Sequence, residues 1–293
     1  MGRPLDYGLS AALDFEAAAE LLERRGLQAL LAVREGEILF ERYVAPFTAD
    51  TPHALYSGTK SFWGTAALAA RDDGLLSLDE RVGDTFASWS TGLRANVTLR
   101  MLLQLTSGIG FGGLGNAVPT YEKALAVDLK NDPGSTFTYG GIPLQVFGAV
   151  FARKLAARGL TPHAYLRERI LDPIGCEIAS WRVLRDGTNP LPTGAFLTAA
   201  SWARYGLSML SGDRTECLRG SNANPRYGLG WWLSPLPEAP DLFYASGSGG
   251  QAMYVFPSRR IVVVVFAAAA SPVAHATLLR RLLGGLGIDS TRG

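Results

Sequence analysis

Histidine, cysteine and lysine are scarce in this chain of 293 residues, which holds three, two and four of them. Cys176 and Cys217 stand far apart, without metal-ligand spacing or a disulfide framework, so no metal centre is expected and both thiols read as free in a reducing compartment. His53, His163 and His275 are scattered, and no serine lies in a Gly-x-Ser-x-Gly elbow, which leaves a Ser-His-Asp hydrolase without its nucleophile turn. His53, four residues before Ser57, could line a pocket, but a loop histidine there reads first as structural. Long charge runs are also missing. The formal net charge of +2 is dispersed, with no basic tract longer than Arg24-Arg25, Arg259-Arg260 or Arg280-Arg281, so nucleic acid and anionic membrane are not expected partners. The longest apolar run, Ile261 to Ala270, is too short to span a bilayer and reads as a buried strand. Met1 to Gly8 lacks the charged-then-apolar order of an export signal, and a cytoplasmic location is the expectation.

With 47% hydrophobic residues and no polar linker, the chain suits one sizeable domain built as two interleaved lobes. An amphipathic pattern over Phe15 to Arg25 predicts a helix, and Leu27 to Val33 with Glu37 to Val44 predict a hairpin turning at Arg34-Glu35-Gly36. A capped short helix is expected to begin at Ser77 to Glu80, another short one at Thr98 to Leu105, and longer ones at Ile142 to Arg158, Thr161 to Ile170 and Thr198 to Leu210. From Arg226 the period changes, predicting strands at Tyr227 to Leu233, Leu242 to Ser246, Ala252 to Phe256 and Ile261 to Ala267, then a closing helix over about Pro272 to Leu283. Strands at both ends with helices between give an α+β fold. Its antiparallel sheet forms from both termini and is flanked by helices, and a mainly helical lobe is inserted. The α/β lobe is expected over about 1–71 and 213–293, and the helical lobe over about 72–212. The loop Gly108 to Gly113 contains G-x-G-x-x-G but follows a helix, so it fails the context of a dinucleotide site and reads as a flexible loop near a pocket mouth.

The chemistry centres on Tyr56-Ser57-Gly58-Thr59-Lys60-Ser61, at the start of an alanine-rich apolar helix. Residues three apart on a helix share a face, so Ser57 and Lys60 can touch. A serine hydroxyl becomes a nucleophile once its proton is removed, and a lysine does this when burial lowers its pKa. The spacing is common by chance, and the bland alternative is a cap serine beside a solvated lysine. The helix that follows decides between them, because Phe62, Trp63 and Ala66 to Ala70 make it apolar nearly all round, and a lysine entering a buried helix must be paired or functional. Two further stretches could join this pair. Tyr139 sits on the irregular segment Phe137 to Gly141, where a phenol with its pKa lowered by Lys60 could relay a proton; a core aromatic is the equal alternative. Ala245 to Gln251 is rich in small residues, which permit close approach of a substrate and leave backbone N–H groups for an oxyanion hole, or form a plain glycine turn.

Taken in order, Ser57-x-x-Lys60, Tyr139 and Ala245-Ser246-Gly247 resemble the serine β-lactamase and penicillin-binding-protein superfamily, in particular its class C branch. Supporting stretches are Gly74 to Asp79, Leu102 to Gly108, Asp172 to Gly175 and Tyr227 to Trp231, so the resemblance spans roughly residues 20 to 283. It implies Ser57 as the acylated nucleophile, Lys60 as its base, Tyr139 as the proton relay, and the backbone N–H groups of Ser57 and Ser248 as the oxyanion hole. Gly141, Ser246, Gly247 and Gln251 would contact substrate, with no cofactor. Two positions depart from the family pattern: Gly141 stands where Tyr-x-Asn has its asparagine, and Ala245 where Lys-Thr-Gly or His-Thr-Gly has its first residue. The departures favour a less decorated substrate, an ester or small amide as in family VIII esterases or 6-aminohexanoate-dimer hydrolases, over a β-lactam or a D-amino-acid peptide. The partner implied is a small ester, amide or lactam, with oligomeric state open. A silent binding or regulatory homologue is the contrasting reading, although retention of Ser57, Lys60 and Tyr139 together argues against it.

Overall fold

The computed structural model describes residues 13–284. In chain order the elements are α1 (Phe15–Glu23), β1 (Leu27–Arg34), β2 (Glu37–Tyr43), β3 (His53–Ala54), α2 (Ser61–Asp72), α3 (Leu99–Leu103) and α4 (Tyr121–Leu125). There follow α5 (Ile142–Leu155), α6 (Pro162–Leu166), β4 (Ser180–Trp181), β5 (Ala195–Leu197), α7 (Ala199–Ser208), β6 (Trp232–Leu233), β7 (Phe243–Gly247), β8 (Gln251–Phe256), β9 (Ile261–Ala267) and α8 (His275–Leu282). Capping chemistry sets several starts: the side chains of Asp14, Thr98, Thr161 and Thr198 accept from backbone N–H groups of α1, α3, α6 and α7.

The main sheet is antiparallel throughout, in the order β2-β1-β9-β8-β7-β6. Two of its inner strands, the neighbours β1 and β9, come from opposite ends of the described chain. Each alternates between two cores: Ile261, Val263 and Val265 pack toward α1 and α8, while Val262, Val264 and Phe266 face the larger core shared with α2 and α7. Burial on both faces is why Ile261 to Ala267 is apolar without a break. A small second sheet, β3-β5-β4, props the chain just before Ser57. Between β3 and β6 the regular elements of the described chain are helices, apart from the short strands β4 and β5.

Three local expectations change. Residues 77–80 form a turn and not a helix, although Ser77 N still donates to Glu80 Oε2 at 3.1 Å; the next residue, Arg81, is extended and bridges to Thr98. Tyr227 to Leu233 is a tight reversal in which Gly228 N donates to Trp231 O, leaving only Trp232–Leu233 as strand. The Gly108 to Gly113 loop is pinned, since Gly108 O accepts from Lys130 N and Asn131 N and Gly112 O accepts from Gly141 N. We propose a two-lobe division close to the expected one, with α7 assigned to the sheet lobe because it packs on β1, β8 and β9.

Candidate active site

Tyr56 opens the site with φ of +46°, a left-handed backbone that is uncommon outside glycine and recurs where structure is held for function. The chain then makes a 3₁₀ turn, Tyr56–Lys60, before α2. Residues three apart eclipse in such a turn. Ser57 Oγ and Lys60 Nζ accordingly lie 2.8 Å apart. Ser61 to Ala70 of α2 are all buried, and Lys60 is carried in with them at 1% exposure. Its Nζ also donates to Pro192 O at 3.2 Å, and burial alone brings its pKa down to about 7. An amine at that value is a neutral base and a protonated acid in similar proportion near neutrality.

Tyr139 is half-buried, with its ring 4.9 Å from Lys60 Nζ and stacked on Trp232 at 5.6 Å. Its pKa is raised by burial, with the nearby Ser57 hydroxyl pulling the other way. The expectation that Lys60 lowers it is therefore corrected. A lysine that is itself half neutral supplies little field, and desolvation of the phenolate dominates.

β7 completes the constellation. A Cβ on Gly247 would lie 2.1 Å from Leu55 O, so only glycine lets the strand end lie against the nucleophile turn. Ser248 begins a second 3₁₀ segment, Ser248–Gly250. As the second and first residues of their segments, Ser57 and Ser248 have N–H groups with no carbonyl three residues back to bond within the turn. The resulting pocket, about 360 Å³, is lined by the aromatic residues Tyr139, Trp232 and Tyr244. Ser57, Ser246, Gly247, Ser248 and His275 complete the lining.

The other named residues go elsewhere. Gln251 is buried, with its amide donating to Ser248 O and Ala267 O and accepting from Ala267 N, so it ties the 248–250 turn to β9 and is not part of the pocket lining. Gly141 packs under the glycine loop, where a Cβ would stand 1.9 Å from Gly113 O. Ala245 is buried within β7. His53 bonds Gln28 and stacks on Phe266 away from the pocket, and Trp63 and Trp231 are core. Both cysteines are free and buried. The residue that sequence reasoning passed over is His275, whose Nε2 is 2.9 Å from Ser246 Oγ and whose Nδ1 is 2.7 Å from Tyr254 Oη. Strand direction holds the missing signal: β7 ends, β8 begins and β9 ends at one edge of the sheet, so the first turn of the following helix returns there.

The Beta-lactamase family model matches residues 16–285. The chain belongs to the Beta-lactamase family. Among solved structures, a protein from Bacillus anthracis provisionally described as a 6-aminohexanoate-dimer hydrolase superposes with a TM-score of 0.75 at 20% identity, over 92% of this chain and 81% of that one. EstCE1, described as a hydrolase with promiscuous acyltransferase activity, superposes at 0.71 with 16% identity, over 92% and 96%. In sequence, a monacolin J acid methylbutanoyltransferase of Aspergillus terreus is 30% identical over 160 residues, 44% of this chain and 38% of that enzyme, so the match spans well under half of either protein. Among the described residues of this Beta-lactamase family member, no helix is long and apolar enough to cross a membrane.

Proposed function

We propose that this chain is a serine hydrolase of the class C branch that works through an acyl-enzyme, acting on an ester or small amide without a fixed negative charge next to the reacting carbonyl. The observation that carries the reading is the 2.8 Å approach of Ser57 Oγ to a buried lysine whose pKa lies at about 7. In its neutral form Lys60 accepts the Ser57 proton as Oγ attacks the substrate carbonyl, forming the Oγ–C bond and moving the carbonyl electrons onto oxygen. The N–H groups of Ser57 and Ser248 hold that oxyanion. Collapse breaks the bond to the leaving group, which takes the proton from Lys60 through Tyr139 and departs as alcohol or amine. Water then attacks the acyl carbonyl, giving its proton to Lys60 as the new O–C bond forms, and collapse breaks the Oγ–C bond, with Ser57 Oγ taking that proton back as the acid leaves. Tyr139 suits the relay as a neutral phenol beside Lys60 in the pocket that holds Ser57. A neutral substrate follows from the lining, where no side chain carries a fixed cation.

A second acceptor, an alcohol in place of water, is favoured by the partial match to a methylbutanoyltransferase. It uses the same acyl-enzyme and differs only in the last step. The test is intact-mass spectrometry after exposure to a fluorophosphonate, with p-nitrophenyl esters, an aminohexanoate dimer and a chromogenic cephalosporin as substrates and butanol as competing acceptor. A single adduct in wild type, absent in Ser57→Ala together with a loss of turnover of about 10³-fold or more, is expected. Butyl ester product identifies transfer. No adduct and no turnover of any substrate overturn the proposal in favour of a silent binding homologue.

A further inference from the structure

His275 occupies the first position of α8 and lines the pocket. It stands between two hydroxyls, with Nδ1 at 2.7 Å from Tyr254 Oη and Nε2 at 2.9 Å from Ser246 Oγ. Tyr254 lies in β8, paired beside Tyr244, and is 1% exposed. Among the described residues its hydroxyl has His275 as its hydrogen-bond partner. That geometry has two possible proton arrangements, and they differ in what each leaves unsatisfied. With the proton on Nδ1, the imidazole donates to Tyr254 Oη, and the phenolic O–H is left buried with no acceptor, which is unfavourable. With the proton on Nε2, Tyr254 donates to Nδ1, Nε2–H donates to Ser246 Oγ, and every buried donor is used. In this second arrangement Oγ already accepts one bond, and the Ser246 O–H is free to point into the pocket.

We propose that His275 and Tyr254 are positioning residues that hold Ser246 as a hydrogen-bond donor in the pocket that contains Ser57, selecting substrates whose acyl group carries an uncharged oxygen acceptor such as a ketone or ester carbonyl. The inference rests on the hydrolase reading for its substrate and on geometry alone for the proton arrangement. Burial supports it, since it lowers the imidazole to about 4 and keeps the ring neutral, so the side facing Ser246 offers a dipole and no cation. Ala245, where the resembling family carries a cation, leaves this donor without a charged neighbour on the strand. Tyr244 packs against the imidazole, its ring tilted by 46° with centroids 4.6 Å apart, and limits how far the ring can turn.

The experiment has two readouts on the same proteins. Nitrogen-15 NMR of the His275 side chain in the intact protein reads the tautomer without any substrate. The Nε2–H form is expected in wild type, with the Nδ1–H form gaining population in Tyr254→Phe. In parallel, p-nitrophenyl levulinate and p-nitrophenyl valerate, which differ by a ketone in the acyl chain, are compared in wild type, Ser246→Ala, His275→Ala and Tyr254→Phe. Wild type is expected to prefer levulinate by about tenfold, expressed in KM more than in kcat, and both alanine variants to lose the preference. Tyr254→Phe keeps the aromatic core and is expected to lose part of it. Fluorophosphonate labelling of Ser57 is followed in every variant, so loss of the nucleophile is distinguished from loss of the donor. An Nδ1–H tautomer in wild type overturns the proposal, as does a levulinate-to-valerate ratio unchanged by Ser246→Ala and His275→Ala. If wild type takes no label and turns over neither ester, the hydrolase reading fails and the tautomer alone decides the relay.

Discussion

Lys60 shows how one side chain couples stability to chemistry. Burial lowers its pKa from 10.5 to about 7, so the folded state binds fewer protons than the unfolded chain between those values. Stability contributed by this group therefore rises with pH from about 7 to 10.5, and the penalty is fully present below about 7. The shift corresponds to a cost on the order of 5 kcal/mol at neutral pH. Lys60→Met is expected to raise the midpoint of urea unfolding at pH 7 by a few kcal/mol equivalent, to flatten its rise toward pH 10, and to abolish labelling of Ser57. The same titration governs rate. With Lys60 as base, kcat/KM is expected to rise with pH through about 7, measured from about pH 5 to about pH 9. Lys60→Arg is expected to be as inactive as Lys60→Ala, since a guanidinium keeps its proton at any working pH.

At the scale of elements, close backbone approach decides what the pocket can contain. The glycine loop lies against residues 140–141, through the bridge of Gly112 to Gly140 and the bond from Gly141 N to Gly112 O at 2.9 Å. The absence of the asparagine that the family pattern places here has a steric cause, because the loop fills its space. Gly141→Asn is expected to destabilise the protein by about 3 kcal/mol or more in urea melts, and not to extend the substrate range. An unchanged melt together with a new amide specificity would overturn this account. The same logic makes Gly247 a seam between β7 and the Ser57 turn.

Across the molecule, the sheet is what brings distant segments to one site. The nucleophile turn follows β3, the relay precedes α5, the 246–248 segment ends β7, and His275 opens α8. Phe266 of β9 sits under this arrangement, stacked on His53 at 4.4 Å and on Trp202 at 5.4 Å, with Gly58 packed against Trp202 in turn. Phe266→Ala is expected to cost about 3–5 kcal/mol in chemical denaturation, because rings from β3 and α7 both lose their partner. The surviving folded protein is expected to label at Ser57 more slowly. Labelling at the wild-type rate would show that the core beneath the turn does not hold it.

Much of the fold was legible because its signals are local. Alternating or continuous apolar runs over β1, β2, β7, β8 and β9, and threonine caps before α3, α6 and α7, sit in the sequence where the elements form. The three-residue spacing of Ser57 and Lys60 and the apolar helix behind them are of the same kind, since a turn and a buried helix need no distant partner to be recognised. Tertiary structure decided the rest. Whether Ser77 to Glu80 turns or coils depended on Arg81 pairing with Thr98, and whether Gln251 meets substrate or backbone depended on β9 arriving beside it. The approach of His275 to Ser246 belongs to that second group. It joins residues 29 apart through three strands, and no local pattern records a contact that exists only once the sheet has closed.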